Sequence, residues 1–140
     1  LKMKFKEIKI EKVIVDEVGM LRHDGTQGNG LYKVPFKLSS TPPSLWADVF
    51  VKTWNHPPKF TSMHRPGIAS VYGDKIILNR TTMEEVEKYH LDTLKIVINK
   101  VNEIVKNLMK KENREKEREM KKTADHKKNV QEISERLDFD

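Results

Sequence analysis

Two histidines and an arginine lie close together in a proline-rich segment near the middle of the chain. His56, His64 and Arg65 all fall within residues 54–67, which also contain three prolines. An arginine can bind a carboxylate or phosphate through two parallel hydrogen bonds, and a histidine can donate to the same anion or move a proton near neutral pH. If the chain is an enzyme, we expect a small hydrolase or phosphoryl-handling enzyme that uses these side chains, with His23 and Asp24 as further candidates.

The same segment has a structural interpretation, which we favour. Prolines stiffen a loop that crosses a sheet, and histidines in such loops hydrogen-bond to backbone groups that would otherwise lack a partner. No nucleophile, base and orienting group follow a known spacing here, although Thr61 and Ser62 are close to His64 in sequence. The segment therefore indicates an anchored loop first and a catalytic site second.

The sequence predicts neither a metal site nor a cofactor. The chain has no cysteine, and its histidine and aspartate candidates, at positions 23, 24, 56 and 64, come from separated loops without a recognised ligand spacing. The glycine-rich stretch 19–30 lacks both the GxxxxGK[ST] and the GxGxxG patterns. Moreover, the residues after it alternate as a strand does, whereas phosphate binding would need the N-terminus of a helix.

Positive charge is concentrated in the first 80 residues. These hold 13 Lys and Arg against 7 Asp and Glu, whereas the remaining 60 hold 14 of each sign. Lys2, Lys4 and Lys6 alternate with apolar residues and, together with Arg65, are our candidates for binding an anionic partner, which would be nucleic acid, a nucleotide or an acidic protein surface. The chain contains no established nucleic-acid-binding motif.

Alternating apolar residues predict the strands that would carry these side chains. Residues 1–18 change parity twice, which indicates one kinked strand or two short ones. Residues 32–38 alternate regularly with Pro35 inside the run, which predicts either an edge strand or a neighbouring bulge. Gly73-Asp74 between two apolar runs predicts a type II′ hairpin over residues 68–79.

Two helices are predicted, one short and one long. Thr41 and Pro42 begin a short helix that ends before Pro57, although the β-branched residues in it leave a strand as an alternative. A much longer helix opens at the Thr81-Thr82 pair and meets no proline or glycine up to the end of the sequence. Thr82 and Glu85, or Thr81 and Glu84, would form its capping box.

The apolar stripe of the long helix predicts self-association. It runs from Met83 to Met109 and is followed by a charged run, so a helix of about 27 residues would be about 40 Å long. A head of about 80 residues is only roughly 25 to 30 Å wide. The far end of the stripe should therefore meet a second copy. The residues predicted at this dimer interface are Val101, Ile104, Val105, Leu108 and Met109.

These features together predict an α+β fold: an antiparallel sheet of four to five strands with a short inserted helix, packed on a long C-terminal helix that extends as a charged stalk. We divide the chain into a compact head, 1–109, and a charged helical extension with a short amphipathic end, 110–140. We expect a cytoplasmic, homodimeric, non-enzymatic binding or regulatory module without a membrane span. A structural adaptor that docks through its C-terminal helix is the remaining alternative.

Overall fold

The computed structural model describes residues 4–19 and 30–140, which form two compact units. One unit, called the head here, is Lys6–Val105; the other comprises Lys106–Asp140 with the residues up to Phe5. Our sequence-based division lies slightly later, after residue 109. Lys2, His23 and Asp24, three of our candidate residues, lie outside the described residues.

The head contains one antiparallel sheet whose strands are arranged in the order β1-β2-β4-β3. The strands are β1 (Ile10–Val13), β2 (Tyr32–Leu38), β3 (Ala69–Tyr72) and β4 (Lys75–Thr81). The β3–β4 hairpin turns at Gly73, whose φ is 60°, while no described non-glycine residue has a positive φ. This combination fits the predicted type II′ turn, which needs a left-handed conformation only at its first central residue. The sheet and the helices confirm the predicted α+β class.

Pro35 lies in an interior strand, so the edge-strand alternative is wrong and the neighbouring bulge is correct. β2 pairs with both β1 and β4, and its register with β4 shifts between Tyr32 and Val34. The Pro35 carbonyl accepts a hydrogen bond of 3.0 Å from the N–H of Ile14, just after β1 ends. Because the chain then turns into a 3₁₀ helix at Val15–Glu17, the ladder stops there and needs no proline N–H.

The opening segment forms less strand than its alternation predicted. Only Ile10–Val13 pairs with β2, and the register shifts between Ile10 and Lys12. This bulge accounts for one of the two parity changes in the sequence, because an extra residue sends the following side chains to the opposite face.

The short helix α1 spans Ser44–Asn55. A cap at Thr41 predicts a first helical residue at Pro42, so the helix begins two residues later than predicted. Its buried side chains are Trp46, Phe50 and Trp54, spaced four residues apart on one face. This spacing places all three large aromatic rings on one buried face of the helix, and the strand alternative is wrong. The helix ends at His56, directly before the two prolines.

The long helix begins as predicted but includes a turn that the sequence did not indicate. Thr82 caps it, since its hydroxyl oxygen accepts a hydrogen bond of 3.1 Å from the N–H of Glu85. A helical turn α2 (Met83–Glu85) leads into a π turn at Val86–His90, in which the N–H of Leu91 donates to the carbonyl of Val86. The helix α3 then runs from Leu91 to Arg136. None of the described helices has the length and apolarity needed to cross a membrane.

Asn102 joins three parts of the head through one buried side chain. Its Oδ1 accepts hydrogen bonds from the Ile8 N–H (3.1 Å) and the Trp46 Nε1–H (2.9 Å), and its Nδ2 donates to the Ile8 carbonyl (2.8 Å). One amide thus holds the segment before β1 and the first turn of α1 against α3. The apolar residues around it on α3 that are buried are Leu94, Val97, Ile98, Val101 and Val105.

We predict that Asn102→Ala destabilises the head by about 2–4 kcal/mol, since it leaves two buried N–H groups and one carbonyl without partners. Asn99→Ala, an exposed asparagine one turn earlier on α3, is the matched control. Both tryptophans lie in the head, so urea unfolding followed by tryptophan fluorescence measures its free energy of unfolding. Similar values for the two variants would contradict the role that we assign to Asn102.

Candidate functional site

The loop that carries His64 and Arg65 is fastened to Trp54 at the end of α1. The Trp54 indole Nε1–H donates to the Arg65 carbonyl (3.0 Å), and His64 Nε2 lies 2.7 Å from the Trp54 carbonyl. Because a carbonyl only accepts, His64 Nε2 must carry the proton. The His64 ring also packs on the Trp54 ring, with 4.6 Å between the centroids. These contacts match the structural interpretation of the loop.

Glu85 gathers polar groups from three parts of the head. Its Oε2 accepts a hydrogen bond of 2.7 Å from Arg65 Nη2, and its Oε1 accepts one of 3.1 Å from the Thr81 hydroxyl. The same Oε1 lies 3.8 Å from His90 Nε2. The predicted capping box is therefore only half formed. In a complete box the Glu85 carboxylate would accept a hydrogen bond from the backbone N–H of Thr82, but here it binds Arg65 and Thr81.

His90 is the most deeply buried titratable group at this site. Its side chain is 0% exposed and packs edge-on against Trp54, with 5.9 Å between the ring centroids. Neither ring nitrogen has a hydrogen-bond partner among the described residues. The nearest carboxylate oxygen, Glu85 Oε1, lies beyond hydrogen-bond distance of the His90 ring.

The electrostatics keep Glu85 charged and His90 neutral. The hydrogen bond from Arg65 is the largest cause that lowers the pKa of Glu85 below 4.5, against the opposing effect of burial. Burial is the largest cause that lowers the pKa of His90 below 6.5, and the Glu85 carboxylate offsets only part of it. His64 and Arg65 lower it further. The folded protein therefore favours the state in which Glu85 is ionised and His90 is neutral.

The candidate catalytic residues that the structure describes, His56, His64 and Arg65, are not assembled into reactive geometry. His64 and Arg65 are engaged by Trp54 and Glu85, and His56 is an exposed residue at the end of α1. Arg65 was also a candidate for binding an external anion, but its nearest anion is Glu85, whose side chain is only 15% exposed. Within residues 4–19 and 30–140, no group of three or more metal-ligating side chains is arranged to hold a metal ion.

The sheet presents a row of lysines that sequence reasoning missed. Lys12 pairs with Lys37, Lys37 with Lys75, and Lys75 with Tyr72, so the row crosses all four strands. The neighbouring row contains Phe36 and Ile76, which are buried in the core. Because successive residues of a strand point to opposite faces, the lysine row points away from the core. Tyr72, which ends the row on β3, is 76% exposed.

Two of these lysines have carboxylate neighbours. Lys37 forms an ion pair with Asp74, and Lys75 Nζ donates to both carboxylate oxygens of Glu17, at 2.8 and 3.1 Å. Like charges opposite each other on a sheet repel, and these acids offset that cost. Lys12, by contrast, is an exposed residue of the edge strand. Lys4 and Lys6, our candidates from the sequence, are also exposed.

The structure divides the five residues of the predicted dimer interface into two groups. Val101 and Val105 are fully buried within the single chain, so they are already used by the core of the head. Ile104 and Met109 are half-buried, and Leu108 is 42% exposed. Only these last three offer apolar surface to another molecule.

Comparison with known proteins returned no relative. No protein-family model matches the chain, and neither the characterised proteins nor the solved structures include a match.

We predict that the stability of the head falls as the pH drops below about 6.5. The unfolded chain binds a proton at His90 before the folded chain does, so acid favours unfolding, and Glu85 adds a second loss once the pH falls below 4.5. One histidine contributes a slope of at most about 1.4 kcal/mol per pH unit. Urea unfolding from pH 7.5 to 5.5 should show this slope, and His90→Leu should flatten it.

His56→Leu is the control for this prediction, because His56 is an exposed histidine of the same head. We expect the free energy of unfolding of His56→Leu to change with pH as steeply as that of the unchanged protein. An equal slope in His90→Leu and the unchanged protein would show that other groups cause the acid sensitivity.

Proposed function

We propose that the protein is a non-enzymatic binding module whose sheet face recognises single-stranded nucleic acid. The observation that supports this proposal is the cross-strand row Lys12, Lys37 and Lys75, which ends at the exposed ring of Tyr72. Lysines neutralise the phosphate backbone, and an exposed aromatic ring stacks on a base. Both groups lie on one face of a rigid sheet, which fixes their spacing.

The carboxylates beside the row do not prevent such binding. The ion pairs of Lys37 with Asp74 and of Lys75 with Glu17 involve side chains that are about one-third to one-half exposed. Ion pairs at the surface contribute only about 0–1 kcal/mol, so a phosphate can compete with them. Lys6 adds exposed positive charge to the segment of the head that precedes β1. The row therefore has the chemistry of a backbone track, with one stacking position at its end.

We predict that a fluorescein-labelled 15-mer of deoxythymidine binds to the full chain with an affinity that falls as the salt concentration rises. Tyr72→Ala should weaken binding about tenfold, within the range of one base–aromatic stack. Lys12→Ala with Lys37→Ala should reduce the magnitude of the salt slope by about 1.4, since each lost phosphate contact on a single strand contributes about 0.7. Fluorescence anisotropy measures both quantities.

Lys52→Ala provides the charge-matched control, because Lys52 is an exposed lysine of α1 rather than of the sheet. It should leave the salt slope almost unchanged. If the Lys52 variant loses as much binding as the double lysine variant, the attraction is general and the sheet face has no special part in it.

We further propose that the protein is a homodimer in which α3 pairs with α3 of a second copy. The exposed apolar residues of the unit Lys106–Asp140 support this proposal. They are Leu108, Met120, Val130 and Ile133 on α3, with Leu137 and Phe139 beyond its end. Charged residues surround them, and the intrahelical Glu112–Lys116 pair adds little stability by itself. A second helix would cover this apolar surface, and twofold dimers are the commonest assembly.

We predict that Leu108→Gln combined with Ile133→Gln converts a dimer into a monomer at micromolar concentration. Sedimentation equilibrium gives the mass, and tryptophan fluorescence shows that the head remains folded. Lys110→Gln combined with Glu132→Gln changes exposed charged residues of the same helix and serves as the control. A monomeric mass for the unchanged chain would disprove the dimer.

A further inference from the structure

A groove runs between the edge strand β1 and the beginning of the long helix. Its main cavity has a volume of about 720 Å³, and an adjoining cavity of about 280 Å³ shares Ile10 and Lys95 with it. We call the two cavities together the β1–helix groove. Both lie entirely within the head. The apolar residues that line the larger cavity are Ile10, Val13, Phe36, Met83, Val86 and Leu91.

The groove combines an apolar floor with an apolar rim that solvent reaches. Phe36 and Val86 are buried, while Ile10, Val13 and Leu91 are half-buried. The Met83 side chain at the rim is 38% exposed. The volume lies in the range of sites that enclose a ligand, and this lining is suited to one or two aliphatic side chains.

One wall of the groove is a strand with an open side. β1 lies at the edge of the sheet and pairs only with β2 among the described strands. Ile8 lies two residues before the start of β1. The Asn102 side chain bonds to both its N–H and its C=O, as a neighbouring antiparallel strand would. The edge is thus closed at Ile8 by a side chain, whereas no described strand pairs with the outer side of β1 beside the groove. An extended peptide can add to such an edge through main-chain hydrogen bonds.

The charges around the larger cavity favour a cationic partner. Glu84 and Glu87 lie on the helix side, Glu11 lies on the strand side, and none of these exposed acids forms an ion pair with another described residue. Acids at a helix start ordinarily complement its dipole, which accounts for Glu84 and Glu87. The helix dipole does not account for Glu11, which lies on the opposite wall of the cavity. Lys12 and Lys95 are the only cations of this lining, so its net charge is −1.

We propose that the β1–helix groove binds an extended peptide segment of a partner protein, in which aliphatic side chains alternate with lysine or arginine. The segment adds to the open side of β1. Its aliphatic side chains enter the apolar floor, and its cations lie beside Glu11, Glu84 and Glu87. This site shares only Lys12 with the lysine row, and the inference does not depend on nucleic-acid binding. The net charge of the chain is +6, so a cationic peptide is repelled in general and is attracted only locally.

The test uses the full chain and a fluorescent seven-residue peptide that alternates lysine and leucine. We expect saturable binding by fluorescence anisotropy, and at least tenfold weaker binding when Glu84→Lys and Glu87→Lys are combined. Glu103→Lys is the matched control, because Glu103 is an exposed acid of α3 that lines neither cavity. It should bind the peptide as the unchanged chain does. Hydrogen exchange should show that the peptide protects the amides of β1.

Three results would overturn the proposal. The first is equal binding of a peptide that alternates glutamate and leucine. The second is peptide binding that leaves the β1 amides unprotected. The third is a decrease in the sedimentation mass of the chain caused by the Glu84 and Glu87 changes without peptide, since the groove would then hold a second copy. Tryptophan fluorescence confirms that each variant is folded before it is scored.

Discussion

The head depends on a single buried amide. Asn102 satisfies three backbone and indole groups that come from the segment before β1 and from α1, and it does so on the side of α3 that is otherwise mostly apolar. An apolar residue at this position would leave those groups buried without partners, which costs more than the apolar contact would return. The position of β1, and therefore both the edge of the sheet and one wall of the groove, follows from this constraint.

A second buried polar cluster fixes the other end of the head. Glu85 joins the loop of Arg65 to the end of β4 and to the helix that follows, while Trp54 holds the same loop from α1. The ionised Glu85 is stabilised by a cation, whereas His90 stays neutral because it is buried. His64 and Arg65 therefore maintain the architecture of the head, which also presents an exposed sheet face and a groove.

Local patterns in the sequence predicted the helices and strands. The pairing of strands across the sheet determines which side chains lie on one surface. Alternation revealed β2 and the hairpin because each has one buried face, and helical spacing revealed α3 as far as Val105. Asn102 was missed because a polar residue inside an apolar stripe is usually assigned to its solvent edge. The lysine row was missed because the register of three strands, which no local pattern determines, brings Lys12, Lys37 and Lys75 side by side.

The bond between Ile8 and Asn102 also sets an order of events during synthesis. The two residues are 94 positions apart, so Ile8 emerges long before the side chain that will hold it. Closing so long a loop is slow and entropically costly, and contacts of high sequence separation form late. Until Asn102 has been made, the segment before β1 lacks its bond to the long helix, and a nascent chain is exposed to pairing with its neighbours on a polysome.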